Sequence, residues 1–180
     1  RGICKVETYL IDNLGETQVL SLPILNSQIL PIAQNSVSFE VPNIGLHQVV
    51  LAKLRPATVP VSGTVILGDY QGDVSSQSID IQIRQGSQVI EELVEVPLSS
   101  SGQFSASVSY MGTFVVAIKS SHWLRKATSP VNIGGNGASG VAVSLINGDI
   151  DADNENSIGD FAILSQSYGS SIGDPYWSAN

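Results

Sequence analysis

The chain has 180 residues, 42% of them hydrophobic and 13% charged, with a formal net charge of −8. Apolar residues spread along the whole length exclude a disordered chain, and an acidic balance with no basic patch between aromatics excludes a nucleic-acid binder. The single cysteine, Cys4, excludes an internal disulfide framework and a cysteine-based metal site, and no apolar stretch reaches the length of a membrane span.

Ser, Thr, Gly, Asn and Gln replace the missing charge, as in β-sandwich modules of extracellular proteins. The chain opens "RGICKVETYLID", without Met and already in strand-like alternation. It is therefore expected to be an internal segment, so that the missing signal peptide says nothing of the parent protein. Residues 1–54 give strand signals in "KVETYLIDN", where Val6, Tyr9 and Ile11 are apolar, then in "VLSLPIL", "QILPIA", "SVSFEV" and "HQVVLAKL". Pro23 and Pro31 demote their strands to edges or breaks. About five short strands are thin for a free-standing sandwich, so this stretch is expected to be the C-terminal part of a truncated β-domain. Residues 55–60, "RPATVP", read as a linker stiffened by two prolines.

Residues 61–146 are expected to form a β-sandwich of immunoglobulin-like or transthyretin-like class. "VSGTVIL" alternates, and "QSIDIQIRQG" sets Ile79, Ile81 and Ile83 against Asp80, Gln82 and Arg84. "QVIEELVEVPL" alternates with three glutamates facing solvent. "GQFSASVSY" and "GTFVVAIKSSHWL" are strands joined by a tight turn around Met111–Gly112. "SPVNIGGNGASGVAVSLI" gives a strand, a Gly-rich turn and a final strand. Roughly seven short strands at this spacing fit the class.

In residues 147–180 the apolar period changes from 2 to about 3.6. Phe161, Leu164 and Tyr168 fall on one face, Ile163 widens it, and Gly169 lies where a helix C-terminal cap is expected. Lys126 is the last basic residue; Asp149, Asp151, Asp153, Glu155, Asp160 and Asp174 follow. Counted from Asp149 as position 1, Asp151 is 3, Asp153 is 5, Glu155 is 7, Ser157 is 9 and Asp160 is 12. This is the ligand frame of a calcium loop: side chains at 1, 3, 5 and 12, a backbone carbonyl at 7, and position 9 direct or through water. Alternate side chains of a curling loop converge on one point, and position 12, on the helix, closes it. Asn154 at position 6 suits a turn with positive φ. Four crowded carboxylates raise one another's pKa unless a cation sits among them. The expected metal set is therefore Asp149, Asp151, Asp153, Glu155, Ser157 and Asp160, with Ca2+ rather than Mg2+.

The stretch "GDIDADNENSIGDFAILSQSYG" resembles one half of a type I dockerin, a duplicated loop–helix unit. The leading Gly148, the acids at 1, 3, 5 and 12, and the apolar helix with its terminal Gly carry the likeness. It implies calcium binding and anchoring to a cohesin-like partner. The chain departs from the family in Asn156, where position 8 is normally apolar, and in Ile158 and Gly159, where small hydroxyl residues often help choose the partner. A second repeat is not present, and "GDPYWSAN" reads as a connector. "VSGTVIL", "GQFSASV" and "GTFVVAIKSSHWLRK" resemble carboxypeptidase-regulatory or transthyretin-like sandwich modules. "VETYLIDN" and "SVSFEVPNIGLHQVVL" faintly resemble the β-domain closing many glycoside hydrolases.

Other groups offer less. His122 and Trp123 beside Leu124, Arg125 and Lys126 could form a patch for a glycan or protein, but a strand end with one buried aromatic explains them more simply. His47 stands alone. Asp69 and Asp73 suit a Gly turn better than a second cation site. Two histidines, one cysteine and no Gly-x-Ser-x-Gly motif leave no triad, so no catalytic constellation is expected. The resulting expectation is the non-catalytic C-terminal region of a secreted bacterial multimodular protein, extracellular or at the cell surface. Its parent would degrade polysaccharide and contact glycan, and the calcium element would anchor it to a protein. The alternative is a structural or adhesive surface protein in which calcium stiffens a stalk of sandwiches.

Overall fold

The computed structural model of the protein describes residues 2–11, 24–34, 36–41 and 49–175. The chain divides into two compact units. One comprises Arg1–Val61, Ser107–Thr113 and Asn132–Ala138; the other comprises Ser62–Ala106, Phe114–Val131 and Ser139–Asn180.

In the first unit, β1 (Gly2–Ile11), β2 (Ile24–Ile32) and β3 (Val49–Pro56) form an antiparallel sheet in the order β2-β1-β3. Pro31 lies in the edge strand β2, opposite Ile3, where a missing N–H costs the sheet no ladder bond. The central strand β1 does not show simple alternation, because Val6, Glu7 and Thr8 are buried in succession. Buried Glu7 is neutralised by Lys5 at 2.7 Å and accepts a hydrogen bond from the Tyr9 hydroxyl at 3.0 Å, with Arg55 at 3.9 Å. The strand expected in "SVSFEV" is not formed: Ser36 bonds back to Ala33, and residues 37–41 are not strand. Alternation shows which side chains would share a face, not whether a neighbouring edge is available to pair. The Arg55–Pro60 stretch, expected as a linker, is mostly strand, since β3 reaches Pro56 and β4 (Val59–Leu67) starts three residues later. Pro23 and His47 lie outside the described residues.

The rest of the fold is mainly β, a β-sandwich followed by a short helix. After β4 come β5 (Ser78–Gln85), β6 (Gln88–Pro97), β7 (Gln103–Val108), β8 (Gly112–Ser120), β9 (Trp123–Ala127), β10 (Val131–Ile133) and β11 (Ala138–Leu145). One sheet has the order β10-β8-β5-β6, with β9 also on β8; the other has the order β11-β4-β7. The core side of β5 is the expected one: Ile79, Ile81 and Ile83 are fully buried, whereas Asp80, Gln82 and Arg84 are not. Val116 and Ile118 of β8, Val65 of β4 and Leu145 of β11 are buried with equal completeness. Each such side chain contributes about 1.5–3 kcal/mol of hydrophobic stabilisation.

Three expectations fail in this region. "GTFVVAIKSSHWL" is two strands, with Ser120 paired to Trp123 across a two-residue hairpin at Ser121–His122, so eight strands replace the expected seven. β7 and β8 are not a hairpin about Met111–Gly112, because they belong to different sheets. β6 does not alternate. Val89 and Val94 are exposed, Glu91 is half-buried, and of its apolar residues only Val96 is buried. Register shifts along the β5–β6 ladder and the positive φ of Glu95 (55°) mark bulges on this edge strand. Asp80 accepts the Glu95 N–H at 3.0 Å and holds one bulge in place.

The helix α1 (Ile158–Ser167) begins at Ser157, an N-cap with a complete capping box closed by Asp160. It ends as expected, with Gly169 at φ 81° just past the cap. No helix among the described residues is long and apolar enough to cross a membrane.

Candidate metal centre

The acidic loop leaves β11 and is tied down at once. Leu124 N–H donates to the Ile146 carbonyl at 2.8 Å, and Trp123 and Asn147 form an isolated bridge. The His122 carbonyl then accepts from both Gly148 and Asp149 N–H, each at 3.0 Å. The tip of the β8–β9 hairpin therefore holds the start of the loop. Gly148 has φ 125°, and a Cβ there would meet the Asn156 amide at 2.6 Å. Asn156 itself donates to the Asn147 carbonyl at 3.1 Å. The polar residue at position 8 thus closes the loop on its own entrance.

Carboxylate oxygens of Asp149, Asp151 and Asp153 lie within 4.8 Å of one another. Asp151 accepts Asp153 N–H at 3.1 Å, and Asp153 accepts Glu155 N–H at 2.8 Å. These consecutive Asx turns curl the backbone and aim alternate side chains inward. Asn154 takes φ 71°, as its place in the frame requires, and its Oδ1 accepts Arg125 N–H at 2.5 Å. Ala152 also has positive φ, at 66°, which its side chain did not announce.

Asp149 is fully buried. Its Oδ1 accepts Asn154 N–H at 3.2 Å, and its Oδ2 forms an ion pair with Lys119 Nζ from β8. Lys119 also donates to the Trp123 carbonyl at 3.1 Å. Asp160 lies at the helix start, where Oδ1 accepts from Ile150 (2.6 Å) and Asp151 (3.3 Å) and Oδ2 from Ser157 (2.7 Å). The Ser157 N–H, chiefly, holds its carboxyl below the usual range against the opposing effect of desolvation, with help from Ile150 and Asp151. Ser157 Oγ accepts Gly159 N–H at 3.0 Å, and Glu155 is exposed. The structure thus gathers the acids at positions 1, 3 and 5, whereas Asp160 braces the loop against the helix. The donor set fits a hard divalent cation such as calcium. A carboxylate has about four lone-pair sites, so the N–H bonds to Asp160 still leave it acceptor capacity.

The remaining candidates have structural roles. Trp123 is buried, and Tyr70 meets it edge-on at 6.0 Å. Asp73 caps a 3-10 turn through Ser75 N–H at 2.8 Å. His122 is half-buried, and neither of its ring nitrogens, both shielded from solvent, has a hydrogen-bond partner. A groove of about 760 Å³ runs past His122, Trp123 and Tyr70 to Ile163, Leu164 and Tyr168 of the helix segment. Phe161 and Tyr168 are largely exposed. The connector "GDPYWSAN" lies outside the described residues from Tyr176 onward.

Sequence reasoning missed Lys119. Its one signal was a lysine in the apolar run "FVVAIKSS", in a strand that proves to be the core of the sheet.

No protein-family model matches the chain, and no curated protein matches it. Among solved structures it is similar to a chain of a C-terminal interface mutant of a type II Cohesin-X-Dockerin complex from Acetivibrio cellulolyticus. The identity is 14% over 67% of this chain and 80% of that chain, with a TM-score of 0.50. An N-terminal interface mutant of the same complex gives 15% identity over the same shares and a TM-score of 0.49. The minor pilin GBS52 of Streptococcus agalactiae gives 12% identity over 81% of this chain and 83% of that chain, with a TM-score of 0.30. At 14% identity, what the chain shares with the first of these is the fold alone.

Proposed function

We propose that this chain is a non-catalytic module of a secreted multimodular protein, in which the loop Asp149–Asp160 binds calcium and presents α1 for anchoring to a protein partner. The observation that carries this reading is the convergence of Asp149, Asp151 and Asp153 within 4.8 Å, immediately ahead of a capped helix. Calcium takes six to eight oxygen ligands. Asp149, Asp151, Asp153 and Asp160 would supply carboxylate oxygens, Glu155 its carbonyl, and Ser157 a direct or water-mediated contact. The fold likeness to a chain of a Cohesin-X-Dockerin complex is compatible with a cohesin-like partner, and the exposed apolar side chains of α1 offer a surface for one. A polysaccharide-degrading parent, glycan contact through it and an extracellular location belong to the same proposal.

Calorimetry on calcium-stripped protein tests the metal. The wild type is expected to release or absorb heat with calcium, and Asp153→Ala to lose that signal. A wild type that takes up no calcium sinks the reading. Pull-down with cohesin modules, with and without chelator, tests the partner separately.

A second reading is a calcium-stiffened stalk. It is favoured by the bonds from His122, Leu124 and Arg125, which fasten the loop to the sandwich. It predicts calcium-dependent protease resistance with no cohesin capture.

A further inference from the structure

Lys119 raises a question that the loop frame does not answer. Asp149 has two carboxylate oxygens; Oδ1 accepts only the Asn154 N–H, at 3.2 Å, and Oδ2 faces the sheet. That oxygen is paired with the Lys119 ammonium. The pair is enclosed: the Lys119 side chain is 12% exposed and that of Asp149 is 0% exposed. Lys119 is fixed from the sheet side, since its residue pairs with Asp80 in the β5–β8 ladder and its ammonium donates to the Trp123 carbonyl. The contact thus joins the sandwich to the loop through a buried charge pair.

We propose that Lys119 is a resident counter-cation of the loop: it neutralises Asp149 when calcium is absent and competes with calcium for that carboxylate. The inference rests on the calcium reading above. A buried carboxylate without a partner is strongly unfavourable, so a loop without calcium needs another positive charge to stay folded. The same ammonium then opposes the metal, by pairing with a ligand carboxylate and by repelling a divalent charge. Lys119 would therefore set the calcium affinity downward while keeping the calcium-free loop ordered, and calcium arrival would be felt at the β8–β9 hairpin through the Lys119–Trp123 contact.

The test is calcium titration by calorimetry of the full chain as wild type, Lys119→Gln, Lys119→Arg and Lys126→Gln. Lys126 is an exposed cation on β9 without contact to Asp149 among the described hydrogen bonds and ion pairs. Removing the ammonium is expected to tighten calcium binding about tenfold; Lys119→Arg and Lys126→Gln should stay within about threefold of wild type. The thermal shift produced by calcium should likewise be larger in Lys119→Gln than in wild type. An unchanged or weaker affinity in Lys119→Gln overturns the proposal, as does an equal gain in Lys126→Gln, which would indicate a general field effect. A second readout uses the wild type alone. The Lys119 ammonium 15N resonance is expected to be protected in chelator and to shift with calcium, and a resonance indifferent to saturating calcium also overturns the proposal. Absence of calcium binding in every protein is a different failure, that of the calcium reading itself.

Discussion

Trp123 donates its indole Nε1–H to the carbonyl of Gly68 at 2.9 Å, across a separation of 55 residues in sequence. The bond fixes the tip of the β8–β9 hairpin to the end of β4, and the same hairpin tip holds the acidic loop. Replacing Trp123 by Phe leaves that carbonyl unpaired and is expected to cost about 1–3 kcal/mol. Ala at the same position should cost about 3–5 kcal/mol by adding a cavity. Urea unfolding measures both, and equal losses for the two variants would show that the bond, not the packing, dominates.

Gly63 sits in β4 where a Cβ would run into the carbonyl of Val141 on the neighbouring strand β11. The obstacle is backbone, which cannot swing aside as a flexible side chain does. Gly63→Ala is therefore expected to lose about 1–3 kcal/mol or more, read as a lowered Tm. A variant as stable as wild type would mean that the two strands lie further apart.

Asn154 combines a left-handed backbone with a side-chain bond to Arg125 N–H. Gly relieves the backbone by about 1 kcal/mol and forfeits a bond of about 0.5–1.5 kcal/mol, so Asn154→Gly should stay close to wild type. Asn154→Ala suffers on both counts and should lose about 2 kcal/mol. Amide hydrogen exchange at Arg125 distinguishes them from a purely global effect: it should quicken in both variants.

Glu7 gives the first unit a pH dependence of known sign. Its hydrogen bond from Lys5, then that from Tyr9, hold its carboxyl below the ordinary 4.5, with Lys5 and Arg55 charges assisting against desolvation. A folded pKa below the unfolded one stabilises above the ordinary value and loses that contribution as pH falls through the lowered one. Wild type should thus lose stability below about pH 4.5, and Glu7→Gln should show a flatter acid profile in denaturant titrations. Parallel profiles would dismiss the assignment.

The loop was legible because its information is local. Asp149, Asp151 and Asp153 converge through turns made within the loop, and the positive φ of Asn154 follows from its place in the frame. Lys119 was not legible, since its approach to Asp149 depends on strand register and on a hairpin that "SSHW" does not signal with an Asn-Gly or Asp-Gly pair. Ile79, Ile81 and Ile83 declared their face correctly for the same reason that Val89 and Val94 misled: alternation is reliable in a central strand and weak on a bulged edge. Pro31 announced an edge strand, but the fate of residues 37–41 depended on a partner that no local pattern reveals.

The paired bonds from the His122 carbonyl to Gly148 and Asp149 have a mechanical consequence. Tension applied through α1 reaches these two bonds and the Asn154–Arg125 bond before it can peel β11 from its sheet. The hairpin tip works as a clamp in series with the helix, and its rupture force sets how much load along the helix the chain bears before the sandwich itself begins to open.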